Sequence, residues 1–284
     1  MSLPDHIEVP LTDSDAVILH LMRIPAGSFL MGARMHEDEG DADEEPAHKV
    51  CIPFDFYLAQ TPVTQQQFAV WTKYAGIKHE NSFPDQNNHP AESMSWDESV
   101  QFSQWVTERY SHCHSENKDW PADYQCLLPT EAQWEYACSA WHELTNSDET
   151  VRRIFTHYHT GDGKAALRQA GWFSGNSEFQ THPVGQKQAN RHGLFDMHGN
   201  VWEWCVDGWD ENAYRHRPPS VKDPWVASSA GADRVIRGGS WSGDATHCRA
   251  AYRFRWGPEI RFRDRGFRVG LFPVQSCQTK QSVE

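Results

Sequence analysis

Three segments in the first half of the chain carry a helical period and none does after Gly171, and this asymmetry limits the fold more than any other feature. Beyond that glycine the residues read as short strands separated by turns. A core with so little regular structure must be filled by large side chains. The chain supplies 13 Trp, 14 Phe and 8 Tyr among its 284 residues, and each buries a large apolar area. Gly and Pro are spread along the whole length, and there is no repeat, low-complexity run or linker. The expectation is one loop-rich α+β domain with small antiparallel sheets and a few helices.

The helices announce themselves by their caps. Thr64 precedes "QQQFAVWTKYAG", with Phe68 and Trp71 on one face and Gly76 at the end. Ser95 and Glu98 form a capping box ahead of Val100, Phe102, Trp105 and Val106. Thr130 and Gln133 repeat the pattern at the start of "PTEAQWEYACSAW". Before them, "VILHLMRIPAGSFLMG" (17–32) predicts a strand pair folded about Pro25-Ala26-Gly27. "HKVCIPFDFYLAQTPVT" then resumes strand alternation. In "GNVWEWC", Trp202 and Trp204 should share one strand face and Val201, Glu203 and Cys205 the other.

Charge and cysteine content narrow the function. A net charge of −13 argues against general nucleic-acid binding. No apolar run approaches the ~18 residues of a membrane span, and residues 1–15 lack a basic-then-apolar leader. Seven scattered cysteines with no CxxC pair read as reduced thiols of a cytoplasmic protein. Two regions depart from the average. Glu37 to Glu45 holds seven acids, read as a solvated loop. Arg234 to Arg268 holds nine arginines interleaved with Trp241, Tyr252, Phe254, Trp256 and Phe262.

Nine segments in register carry a resemblance. They are "IPAGSFLMG", "EEPAHKV", "TPVTQQQF", "HPAESMSWDES", "LPTEAQWEYA", "THPVGQKQANRHGLFDMHGNVWEWC", "RVIRGGSW", "CRAAYR" and "GFRV". Together they resemble the formylglycine-generating enzyme, or sulfatase-modifying factor, family over residues 24–272. Residues 1–23 are then an N-terminal extension with the first strand, and 273–284 a tail. The resemblance implies a C-type lectin-like fold.

It also implies where chemistry should sit. The family's oxidase binds copper with two cysteines soon after "GGS", a thiolate pair suited to Cu(I). Here Gly243 stands at the first position, the second is missing, and Cys248 belongs to the next segment. No copper is therefore expected. The HxxxHxE iron motif of the related sulfoxide synthases is also missing. By position, the family's calcium turn maps onto the side chains of Asp196 and Glu203 and the carbonyls of Gly199 and Val201, implying a structural Ca2+.

Two functions follow. The first is a non-copper binding or accessory module that holds a partly anionic small molecule or peptide on Trp241, Asp244, His247, Arg253, Phe254, Trp256 and Arg261, with Arg249 and Arg268 structural. Arginine and aromatic rings together are typical of binding hot spots. The alternative is an oxygen-dependent oxidoreductase of the non-haem iron type.

Overall fold

The computed structural model describes residues 3–14, 16–33, 40–139 and 156–274. It is a mixed α+β fold, with twelve short strands in three small sheets among the described residues. A five-stranded sheet has the order β1-β2-β5-β12-β6, built from His6–Pro10, Ile18–Ile24, Phe56–Ala59, Gly270–Pro273 and Tyr124–Leu127. A four-stranded sheet has the order β10-β9-β7-β11, from Phe254–Trp256, Arg234–Arg237, Trp202–Gly208 and Arg265–Gly266. The third, β3-β4-β8, joins Gly27–Met31, His48–Ile52 and Ser220–Lys222. Most pairings are antiparallel, while β11 on β7 and β8 on β4 run parallel.

All three expected caps form, and Thr64, read only as a cap, also closes a capping box with Gln67. Thr64 caps α1 (Gln65–Ala75), whose C-terminal Gly76 adopts φ 68°, and Ser95 with Glu98 caps α2 (Trp96–His114). Thr130 Oγ1 accepts from Gln133 N at 3.1 Å, and Thr130 N donates to Gln133 Oε1 at 3.0 Å, opening α3 (Glu131–Ser139). The end of that sequence segment lies outside the described residues. Two short helices were not expected, α4 (Gly163–Ala170) and α5 (Ala213–His216).

The strand pair about Pro25 is corrected. β2 and β3 both form but do not pair with each other, because the chain bends at Pro25-Ala26 and passes into a different sheet. Asp55 Oδ1 fixes that bend by accepting from Ala26 N at 2.8 Å. The N-terminal β1 is an integral edge of the first sheet, in register with β2 from His6↔Met22 to Pro10↔Ile18. Strand β7 divides two apolar clusters. Trp202 and Trp204 pack with Phe102, Trp105 and Phe267 in one, and Cys205 packs with Trp134, Tyr136 and Met197 in the other. Rings do fill this core.

Candidate functional site

Strand β9 ends at a glycine pair that turns the chain toward the arginine-rich stretch. Gly238 and Gly239 have φ of +94° and +73°, a region that costs a side chain conformational strain. A Cβ on Gly239 would come within 2.5 Å of Cys248 Sγ. The turn thus requires glycine twice over. It lays a short 3-10 segment, Ala245–Cys248, beneath Gly239 and against α4, with the Asp244 side chain accepting from Thr246 N at its start.

Most of the arginines in the stretch from Arg234 to Arg268 are spent inside the protein. Arg237 pairs with Glu135, and it donates to the carbonyls of Ala250, Ala251 and Tyr252 at 2.7–2.9 Å. Arg249 holds Glu44 through two bonds of 2.8 and 2.6 Å. Arg253 holds Glu131 at 2.7 and 3.0 Å and donates to Asp43 O at 2.8 Å. Arg268 holds Glu203 at 2.6 and 2.7 Å and reaches the carbonyls of Ala59 and Phe195. All four arginines are buried. They tie the C-terminal stretch to α3, to the turn at Ala42–Glu44 and to β7. Burial alone would raise the Glu131 carboxyl, but Arg253 and Arg237 outweigh it and hold it at about 2.

The sequence-derived ligand set is therefore split. Trp241 is 1 % exposed, under Phe83 and beside Arg263, and Arg253 is committed to Glu131. Trp241 presents no surface to a ligand, and Arg253 reaches a cleft wall only with a guanidinium that is already bonded. The acidic run also needs correction, because Glu44 is fully buried against Arg249 rather than solvated. Its residues 37–39 lie outside the described part. What remains at the surface is a run of rings and cations. Phe254 and Phe262 are 37 % and 48 % exposed. Phe254 stacks on Trp202 with centroids 5.8 Å apart, and His247 sits 4.8 Å from Tyr252. Trp256 is half-buried, with Arg265 3.8 Å above its ring. Arg261 is exposed and pairs with Glu98 at 2.9 Å. Asp244 is exposed at the turn.

Beside this run lies a cleft of about 520 Å3 whose walls include Asp41, Asp43, Trp209, Tyr252, Phe254 and Arg255. Of the cleft's walls the sequence had marked Tyr252, Arg253 and Phe254. Trp209 and the acidic turn escaped it, since contact across the fold leaves no mark in local spacing.

Cys248 is fully buried under Gly239, its Sγ 3.8 Å from Asp244 O, and burial pushes its thiol well up. Gly243, five residues earlier, faces His247, whose Nδ1 would lie 3.4 Å from an added Cβ. His198 is also internal. Its Nε2 accepts from His159 N at 3.2 Å and its Nδ1 donates to Cys248 O at 2.8 Å. Burial and the neighbouring His159 lower its pKa to about 3.

The expected calcium turn is present in outline. Asp196 is left-handed at φ 58° and buried, its pKa raised to about 6 by desolvation, and Oδ2 accepts from Gly185 N at 2.8 Å. Glu203 lies beneath the same turn. Its Oε2 accepts from both Arg268 Nε and Trp134 Nε1, and its Oε1 from Arg268 Nη2. Calcium takes six to eight oxygens, whereas Glu203 already carries a guanidinium on both of its own. As placed, the two carboxylates with the Gly199 and Val201 carbonyls do not fit that shell. The guanidinium of Arg268 stands in for a cation.

Comparison with known proteins agrees with this architecture. The chain is 28% identical to the serine/threonine-protein kinase pkn1 of Chlamydia caviae over 267 residues, 86% of this chain but 37% of that protein. It therefore spans little more than a third of that relative. It is 27% identical to the formylglycine-generating enzyme of Streptomyces coelicolor over 309 residues, 87% of each. In fold it is similar to Treponema denticola variable protein 1, with a TM-score of 0.72 at 23% identity over 94% of this chain and 99% of that one. PvdO from Pseudomonas aeruginosa has the same TM-score at 21% identity, over 95% and 99%. Residues 9–271 match the sulfatase-modifying factor enzyme 1-like domain, and the chain belongs to that family.

Proposed function

We propose that this chain is a ligand-binding member of the family that works without a copper-thiolate centre. The observation that carries the reading is the fate of the one cysteine near the glycine turn. Cys248 is sealed beneath Gly239 with its thiol held protonated, and Gly243 offers no second sulfur. Digonal Cu(I) needs two accessible thiolates.

Binding falls instead to the exposed run. Phe254 and Phe262 offer ring faces, while Arg255 and Arg261 offer exposed guanidiniums, Arg255 paired with the exposed Asp233 at 3.4 Å and Arg261 with the buried Glu98 at 2.9 Å. The Arg255–Asp233 pair lies at the surface and costs little to open. A ligand that is partly anionic and partly planar satisfies both. Arginine takes carboxylate through two parallel bonds and stacks on rings. The oxygen-dependent alternative needs a metal triad. Among the described residues the one cluster of three metal-ligating groups is Asp41, Asp43 and Glu44, and Glu44 is already held by Arg249.

The test uses two capped tripeptides, Glu-Trp-Glu and Lys-Trp-Lys, titrated by NMR into the protein. The acidic peptide should bind tighter and shift signals at Phe254 and Phe262, and Arg261→Ala should weaken it. Equal binding of both peptides, or shifts confined elsewhere, would refute the assignment.

A further inference from the structure

A second enclosed space lies away from the exposed run, between α2, β6 and the β7–β9 pair. It measures about 290 Å3, and its apolar walls include Val100, Leu127, Leu128, Val206, Trp225 and Phe272. That volume is at the small end of ligand pockets, enough for one ring or a six-carbon chain. None of its walls belongs to the surface discussed above.

Arg234 stands among these walls. Its guanidinium lies 3.8 Å over the Trp96 ring, and its Nη1 donates to Val206 O at 3.0 Å. Its Nε is enclosed with no acceptor. The buried arginines 237, 249, 253 and 268 each hold a glutamate, and Arg265 holds Asp264. For Arg234 no described carboxylate comes within ion-pair distance. Asp97 and Asp207 act only from further away, and desolvation outweighs both, lowering its pKa. The other polar side chains of the lining are hydroxyls and amides, Ser103, Gln104 and Thr130 among them. Nothing in the wall neutralises the cation. A partly desolvated charge with no counter-ion is costly, and an anion with an apolar body would relieve that cost while filling the pocket.

We propose that this pocket binds a small amphipathic carboxylate, its apolar part against Val100, Leu128 and Trp225 and its carboxylate on Arg234. Amines are repelled by the guanidinium, and neutral alcohols meet only half of the site. The proposal does not rest on the exposed ligand surface.

Hexanoate, hexanol and hexylamine are the probes, titrated calorimetrically into the full-length protein and into Arg234→Met and Val100→Trp. Wild type should take hexanoate about tenfold or more tighter than hexanol, the value of a charge-assisted hydrogen bond, and should not take hexylamine. Arg234→Met keeps an unbranched stem over Trp96 and removes the charge. It should bring hexanoate down to the level of hexanol and leave hexanol unchanged. Val100→Trp fills the pocket and should abolish both. Should Arg234→Met fail to fold, the wild-type comparison and Val100→Trp still decide. Equal affinity for hexanoate and hexanol, binding that survives Val100→Trp, or no hexanoate binding to wild type would each overturn the proposal.

Discussion

Replacing Arg253 by methionine separates a structural arginine from a ligand-holding one. Its guanidinium is buried, bonded twice to Glu131 and once to Asp43 O, with its carbon 4.1 Å from the Tyr214 ring centre. Removing one partner of such a pair leaves the other charge buried, which costs about 3–5 kcal/mol. At roughly 2–4 °C per kcal/mol for a large domain, the melting temperature should fall by about 6–20 °C. The loss should depend on pH in a stated direction. In wild type the Glu131 carboxyl sits at about 2, below its ordinary value of 4.5, so its contribution is present above pH 4.5 and is lost as pH falls toward 2. Without Arg253 only Arg237, 3.5 Å from Glu131, still opposes burial, so the carboxyl rises and the variant should lose further stability as pH climbs from 5 to 8. Adding Glu131→Gln should remove that slope. Calorimetric melts of the three proteins at pH 5 and 8 measure this. An Arg253→Met protein that melts within a degree of wild type at both values would mean that the pair contributes nothing and that Arg253 is free to serve a ligand.

His198 has its pKa lowered from 6.5 to about 3, so the stability tied to its neutral form is present above pH 6.5. That stability should be lost as pH falls toward 3, at up to about 1.4 kcal/mol per pH unit. Urea melts of wild type minus His198→Asn should show this slope, and parallel curves would contradict it. Trp256→Ala should cost about 2 kcal/mol because the ring is half-buried under Arg265, and Phe254→Ala under about 1 kcal/mol. Thermal melts showing the reverse order would mean that the exposed and packed rings have been confused. Because Arg268 already neutralises Glu203, a calcium chelator should leave the melting temperature unchanged. A rise with added Ca2+ that Asp196→Ala abolishes would show instead that the turn takes the ion.

The elements legible in the sequence were those fixed by local chemistry. Thr64, Ser95 and Thr130 each met a partner three residues on, and a capping box leaves its pattern in four consecutive positions. The Trp202/Trp204 face was readable because strand alternation is local too. Sheet membership was not. β2 and β3 are adjacent in sequence and share a turn signal, yet they join different sheets, and the bond that redirects them comes from Asp55, 29 residues away from Ala26. The ion pairs lie further out. Glu44 and Arg249 are separated by 205 positions, and Glu131 and Arg253 by 122. An acidic run and a basic run therefore looked like a solvated loop and a binding groove, when their innermost members were in fact meeting acidic and basic partners across the core. Arg249 and Arg268 were assigned correctly as structural because their motif segments marked them. Arg253 ends one of those segments as well, and its aromatic neighbours on the C-terminal side drew it toward the surface reading.

The central claim, a family member without the copper-thiolate pair, is tested most directly by titrating Cu(I) into the reduced protein in the presence of bicinchoninate. With Cys248 sealed beneath Gly239 and no second sulfur at Gly243, all of the copper should stay with the chelator. A CxPxR peptide incubated with the copper-treated protein should keep its cysteine. One Cu(I) retained per chain, lost in Cys248→Ala and accompanied by conversion of that cysteine to formylglycine, would contradict the account.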